Sequence, residues 1–253
     1  MEYISQSASE RFETAKKKVL GIQRDRQGIG TLGEKTVHAI VKHYMEPDTD
    51  YHEIPVDGYV ADIYREGNII EIQTANFNKL REKLGCFLKH YEVTVVYPIP
   101  HIKYLRWLDE ESGSITAGRK SPKKGTPYHA FKELYRIKNY LSDEHLHLCL
   151  LLIDLEEIRL LNGWSRDKKK GSVRYDRIPL GLAGELRIDG REDYMQMLPI
   201  ELGDTFTAAD YAKAAHVSSG MAGIAVQILR HLDIIRMIGK QGRAYLYEIN
   251  DSI

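Results

Sequence analysis

The stretch Tyr59-Val-Ala-Asp62-Ile-Tyr-Arg-Glu-Gly-Asn-Ile-Ile-Glu71-Ile-Gln73-Thr74 decides how this chain is read. Apolar and polar residues alternate on both sides of Gly67-Asn68, which predicts two short antiparallel strands joined by a two-residue turn. With that turn, Tyr64 falls opposite Glu71 and Asp62 opposite Gln73. Opposed residues share a sheet face, as do residues two apart on one strand. Asp62, Glu71 and Gln73 are therefore expected on one face, with Ile63, Ile70 and Ile72 on the other. Two carboxylates and an amide on one patch suit a hard, oxygen-seeking cation such as magnesium.

Upstream, residues 7–26 carry scattered apolar positions (Phe12, Val19, Ile22) and predict an amphipathic helix. Gly33 to Met45 gives a stronger one, with Val37, Ile40, Val41, Tyr44 and Met45 at helical spacing. Glu34 sits on that apolar stripe, where a carboxylate needs a partner or a cation, although first-turn acids also suit a helix dipole. His52 to Val56 predicts a strand ahead of the hairpin. Beyond it, Phe77 to His90 reads as a helix capped by Asn76, and Tyr91 to Ile99 as a buried strand ended by Pro98 and Pro100. A further helix is expected over 131–141 and an apolar strand over 147–155, which Glu157 to Leu161 can extend. The Gly-rich stretch Leu180–Gly190 is the place for a boundary, giving domains 1–190 and 191–253.

The second part has a different rhythm. Thr207-Ala-Ala-Asp210 is a capping-box start, with Asp in place of Glu or Gln. A short helix to about His216 follows, then a helix from Ser218 or Ser219 to Leu232, then two strands around Gly239-Lys-Gln-Gly-Arg243. Helix, turn, helix and basic hairpin outline a winged helix-turn-helix.

Composition limits the partners. Of 253 residues, 36 are acidic and 36 basic, so nucleic acid has to be met by local patches rather than by a global field. Cys86 and Cys149, each in an apolar run, read as small buried hydrophobes in a reducing, cytoplasmic setting. The longest apolar run, Leu148 to Ile153, is too short to cross a bilayer, so no membrane partner is expected.

The order of helix with Glu34, strand, hairpin with Asp62 and then Glu71-Ile-Gln73, helix, strand resembles the PD-(D/E)XK, or restriction-endonuclease-like, nuclease superfamily over roughly residues 30–155. The resemblance implies an α/β (α+β) domain with a mixed central sheet flanked by helices. It also implies a Mg2+ site, with Mn2+ as a substitute, held by Glu34, Asp62 and Glu71. The position usually held by Lys is Gln73, which can orient water but cannot transfer protons at neutral pH. Ala61 stands where Pro is usual. The expected activity is metal-dependent DNA endonuclease, with Asp62, Glu71 and Gln73 as catalytic positions. The alternative is a catalytically degenerate, DNA-binding regulator or adaptor.

Candidate phosphate contacts are Lys79, on the helix after the hairpin with Arg81 and Lys83, and the basic loop Arg119, Lys120, Lys123 and Lys124. Lys168 to Lys170 make a second basic run. In the winged helix the candidates are Ser219, Gln227 and Arg230 on the second helix and Lys240 and Arg243 on the hairpin. The expected partner is duplex or branched DNA, with RNA left open and a homodimer among the permitted assemblies.

Overall fold

The computed structural model describes residues 4–26, 35–161 and 173–250. The hairpin stands near one edge of a large mixed sheet. Its strands are β1 (His52–Val56), β2 (Tyr59–Arg65), β3 (Asn68–Ile72), β4 (Glu92–Leu108), β6 (Leu146–Leu160) and β7 (Arg174–Ile188), in that spatial order. The two-residue β5 (Arg119–Lys120) adds to β4. β3, β4 and β6 run parallel, and β1, β2 and β7 are antiparallel to their neighbours. The protein is thus mixed α and β, with a large mixed sheet flanked by helices.

Helices α1 (Gln6–Arg26) and α2 (Lys35–Met45) cover one face. Phe12, Val19, Val37, Ile40, Val41 and Tyr44 pack there on Ile63, Ile72, Val96, Cys149, Leu151 and Ile153. The alternate residues Val93, Val95, Leu148, Leu150 and Leu152 face the other core, built with α3 (Arg81–Phe87) and α4 (Phe131–Leu134). Period-2 strands thus feed two apolar layers at once, as a sheet buried on both faces requires. Each fully buried aliphatic side chain contributes about 1.5–3 kcal/mol to that packing.

β4 runs well past the expected end at Ile99. The Gln73 N–H donates to Val96 O, so Val96 turns its backbone groups toward β3, which ends at Ile72. Pro98 and Pro100, two and four residues on, turn the same way toward a side without a strand, and their missing N–H costs no ladder bond. Gly125 packs against this segment so closely that a Cβ would lie 2.0 Å from Pro100 O. The helix expected over 77–90 is instead a 3-10 turn (Phe77–Leu80) leading into α3, and Asn76 makes no side-chain cap. The Gly-rich stretch Leu180–Gly190 is not a linker: as far as Ile188 it lies in β7, paired along β6.

The C-terminal part consists of β8 (Thr205–Thr207), α5 (Ala208–Ala214), α6 (Ser219–His231), β9 (Ile235–Gln241) and β10 (Ala244–Ile249), with sheet order β8-β10-β9. Thr207 and Asp210 form the expected reciprocal cap, and Ser218 rather than Ser219 caps α6. Tyr211 of α5 is fully buried, edge-on to Tyr128 and Phe131, so one apolar core continues from the large sheet into this part. No helix among the described residues is long and apolar enough to cross a membrane.

Candidate functional site

The hairpin turn falls on Glu66-Gly67, not Gly67-Asn68. Arg65 pairs with Asn68, Tyr64 with Ile69 and Ile63 with Ile70. Both turn residues take positive φ (49° and 83°), the geometry whose twist suits a tight hairpin. The slip is two residues, so the face of each side chain within the ladder survives while its partner changes. Carried one step further, the register sets Asp62 beside Glu71, and Gln73 lies beyond the ladder.

At Asp62 the regular alternation breaks. The pairs His52–Ile63 and Ile54–Ala61 bracket Glu53 and Asp62, and Glu53 sits at φ 54°, uncommon for a non-glycine residue. Ala61 packs into the α3-side core and Ile63, two residues on, into the α2-side core. The acids consequently meet different helices. Asp62 Oδ2 accepts the Ile72 N–H at 2.8 Å and lies 3.2 Å from His38 Nε2 on α2. Glu71, 3% exposed, takes Lys83 of α3 on both carboxylate oxygens, at 2.9 and 2.8 Å. Lys83 also donates to Val60 O at 2.7 Å. On β1, Glu53 accepts from Lys42 of α2 at 2.6 Å.

These contacts set the charge states. Burial alone would raise the Asp62 carboxyl, but His38, the Ile72 N–H and Lys83 outweigh it and hold Asp62 below the usual range. Glu71 goes the other way: burial above all, with the negative charge of Asp62 adding, pushes it up to about 7 against the pull of Lys83. The Lys42 ammonium holds Glu53 low. A half-buried acid beside a buried one whose carboxyl is raised forms a site that an added cation would relieve.

The remaining expectations resolve individually. Glu34 lies outside the described residues, as does the Lys168–Lys170 run. The Gln73 amide turns back to Ala75 O and meets neither acid. Lys79 is exposed on the 3-10 turn, Arg119 and Lys120 on β5, and Lys123 and Lys124 on the loop that follows. Ser219, Gln227 and Arg230 are exposed on α6. Lys240 lies over the Tyr245 ring at 5.2 Å, and Arg243 is exposed at the hairpin tip. Among the described residues no three His, Cys, Asp or Glu side chains converge as a metal cage. Sequence reading missed His38 and Glu53. His38 follows a stripe residue and carries no separate signal, and nothing in His52–Val56 announces a left-handed Glu53.

Residues 35–189 match a family model described as a domain of unknown function, DUF8091, and the chain belongs to that family. The chain is also similar to an uncharacterized protein of Treponema pallidum (strain Nichols). That likeness is 30% identity over 226 residues, covering 87% of this chain and 86% of that protein. No solved structure matches the chain.

Proposed function

We propose that this chain is a metal-dependent nuclease of the PD-(D/E)XK type, brought to DNA by a C-terminal winged helix. The observation that carries the reading is the meeting of Asp62, Glu71 and Lys83 where β2 and β3 part. The donor chemistry fits a hard divalent ion: magnesium is commonly held by one or two carboxylates, with water and substrate oxygens completing its shell. Asp62 and Glu71 would hold it, and its positive charge would offset the burial and the Asp62 charge that raise the Glu71 carboxyl. Such an ion supplies charge neutralisation at a phosphate and activates water for attack.

The ammonium missing at position 73 is supported from elsewhere in the fold. Lys83, one helix further along the chain, places its Nζ on both oxygens of Glu71. Gln73 orients its own loop instead. In the C-terminal part, the order β8-α5-α6-β9-β10 with sheet order β8-β10-β9 supports the winged-helix reading. It offers Ser219, Gln227 and Arg230 on α6 and Lys240 and Arg243 on the hairpin to DNA.

The test is cleavage of supercoiled plasmid and end-labelled duplex DNA with magnesium or manganese, beside Asp62→Ala. Cleavage by the parent that disappears in the variant is expected. Binding without cleavage under either metal defeats the enzyme reading and favours a second one, a DNA-binding regulator with a nuclease-like body. That second reading has its own support in the Gln73 amide turned to Ala75 O and in acids already paired with His38, Lys42 and Lys83.

A further inference from the structure

Where the 3-10 turn Phe77–Leu80 and the start of α3 meet a second 3-10 segment, Tyr135–Tyr140, the structure has a cleft of about 320 Å³. Its walls carry cations, tyrosines and asparagines and, among the described residues, no carboxylate. The sequence Tyr135-Arg-Ile-Lys-Asn-Tyr140 explains that lining. Phe131, Leu134, Ile137 and Leu141 form the buried stripe of α4 and the segment that follows. The residues off the stripe are left outside: Tyr135, Arg136 and Asn139 are exposed and Lys138 is half-buried. Tyr140 ties the segment to α3, its hydroxyl donating to Arg81 O at 3.0 Å. A Cβ at Gly85 would lie 3.2 Å from that hydroxyl, so glycine leaves it room.

The positive charge here is not neutralised within the protein. Arg65, Arg106, Arg187, Arg191 and Arg236 each reach a carboxylate. Among the described residues Arg81, Arg136 and Lys138 reach none. Lys138 Nζ instead stands 5.9 Å from the centre of the Tyr135 ring, inside the cleft. The acids nearest in the chain do not enter: Glu133 accepts the Phe77 N–H at 3.0 Å, and Glu82 is exposed and does not line the cleft. Lys79, exposed, adjoins the lining residue Asn78 and adds to the same sign of charge.

An unpaired nucleotide supplies what this lining lacks. Its phosphate is the missing anion for guanidinium and ammonium groups. Its base gives an exposed tyrosine a π-face to stack on, the mode by which single strands are held without sequence preference. Its free edge takes hydrogen bonds from side-chain amides. A duplex offers the phosphates but keeps its bases stacked inside.

We propose that this cleft binds single-stranded nucleic acid, with a base on Tyr135, flanking phosphates on Arg81, Arg136 and Lys138, and the amides of Asn78 and Asn139 at the base edge. The inference goes beyond the nuclease reading and needs neither its acids nor a metal. The two sites share α3: Arg81 lines the cleft, and Lys83 holds Glu71. Two residues on a helix stand about 200° apart around its axis, so cleft and acids flank opposite sides of that helix.

The experiment measures fluorescence anisotropy of labelled oligothymidylate, oligouridylate and a DNA duplex of equal length, in EDTA across a salt series, for the full chain and three variants. Tyr135→Ala removes the stacking platform, Tyr135→Phe keeps it, and Arg81→Gln/Arg136→Gln removes two cations. All three change exposed side chains, and thermal melting certifies their folding. Tyr135→Ala is expected to weaken single-strand binding about tenfold and to leave duplex binding unchanged, and Tyr135→Phe to bind as the parent does. The double variant should flatten the slope of log K against log salt by about 1.4 for single strands. The tighter of the two single strands identifies the sugar. A folded Tyr135→Ala variant that binds both single strands like the parent overturns the cleft. So does a parent that binds neither, or an equal loss on single strand and duplex. Cleavage is scored separately. Metal-dependent, Asp62-dependent cleavage with single-strand binding unaltered in the variants leaves the nuclease and sinks the cleft. Weakened single-strand binding in Tyr135→Ala, without cleavage by the parent under any metal, leaves the cleft and sinks the nuclease.

Discussion

Glu71 and Glu157 are both buried glutamates on the same sheet, and they have opposite surroundings. Glu71 shares its neighbourhood with Asp62 and has one lysine, and its carboxyl rises to about 7. Glu157 has four cations around it among the described residues, and its carboxyl is held low. Burial is similar in the two cases and pushes both upward, so the count of neighbouring charges decides the outcome. At the hairpin two neighbouring acids draw on Lys83 and His38, whereas across β4, β6 and β7 four cations surround one carboxylate among the described residues.

The contrast is broken most forcibly by neutralising each acid in turn. Glu157→Gln strands buried cations around an uncharged amide, and loss of one partner from a buried network costs about 3–5 kcal/mol. Glu71→Gln replaces a group already near neutrality, and Lys83 keeps its bond to Val60 O. Urea denaturation should place the second variant within about 1 kcal/mol of the parent, the usual range for a single hydrogen bond. Equal losses in the two variants would mean that Glu71 is as firmly ionised as Glu157, and the asymmetry would fall.

A pH series sharpens the same point. Glu71 binds its proton more tightly when folded than when unfolded, since it moves from 4.5 to about 7. Across that window the folded chain holds a proton that the unfolded chain has released, so stability falls as pH rises. The full swing is on the order of 3 kcal/mol. Asp176, raised from 3.8 to about 6, adds to the lower part of the same limb. Glu157 runs the other way: its lowered carboxyl adds stability above its ordinary value of 4.5, and that is lost as pH falls below it. His43, lowered from 6.5 to about 4 chiefly by burial, opposes this trend below pH 6.5, so the decline in melting temperature should show between about 6.5 and 7, and Glu71→Gln should flatten that segment. A parent whose stability rises through that segment would contradict the assignment.

Much of the fold was legible because its signals are local. The stripe Val37, Ile40, Val41, Tyr44 built α2, and the alternation around Gly67 built the hairpin. The turn slipped because Glu66 accepts the left-handed conformation that Asn68 seemed better suited to take. Asp62 and Glu71 could be read as neighbours since a two-residue slip preserves the face. Their partners could not: His38, Lys42 and Lys83 come from two helices whose packing no spacing rule gives. The Glu157 cluster was invisible for the same reason. Its cations stand at 103, 159, 174 and 177 on three strands, and only the ladder unites them. The sequence's conspicuous basic loop, Arg119 to Lys124, stays exposed on and after β5.

The smallest expected effect separates Gln73 from Lys83. Gln73 stands in the position where the nuclease pattern has its lysine, yet its amide donates to Ala75 O within its own loop. Lys83, from the helix that follows the hairpin, holds both oxygens of Glu71. Gln73→Ala removes one partly exposed hydrogen bond and should cost about 0.5–1.5 kcal/mol in urea denaturation. Cleavage by that variant should stay within a few-fold of the parent, while Lys83→Gln should lose about a hundredfold, the scale of one charge-stabilising donor. If Gln73→Ala loses as much as Lys83→Gln, the amide must leave Ala75 and swing to the acids when DNA binds. The motif position would then hold the chemistry after all, and Lys83 would be left as the counter-ion that keeps Glu71 tolerable in the unbound chain.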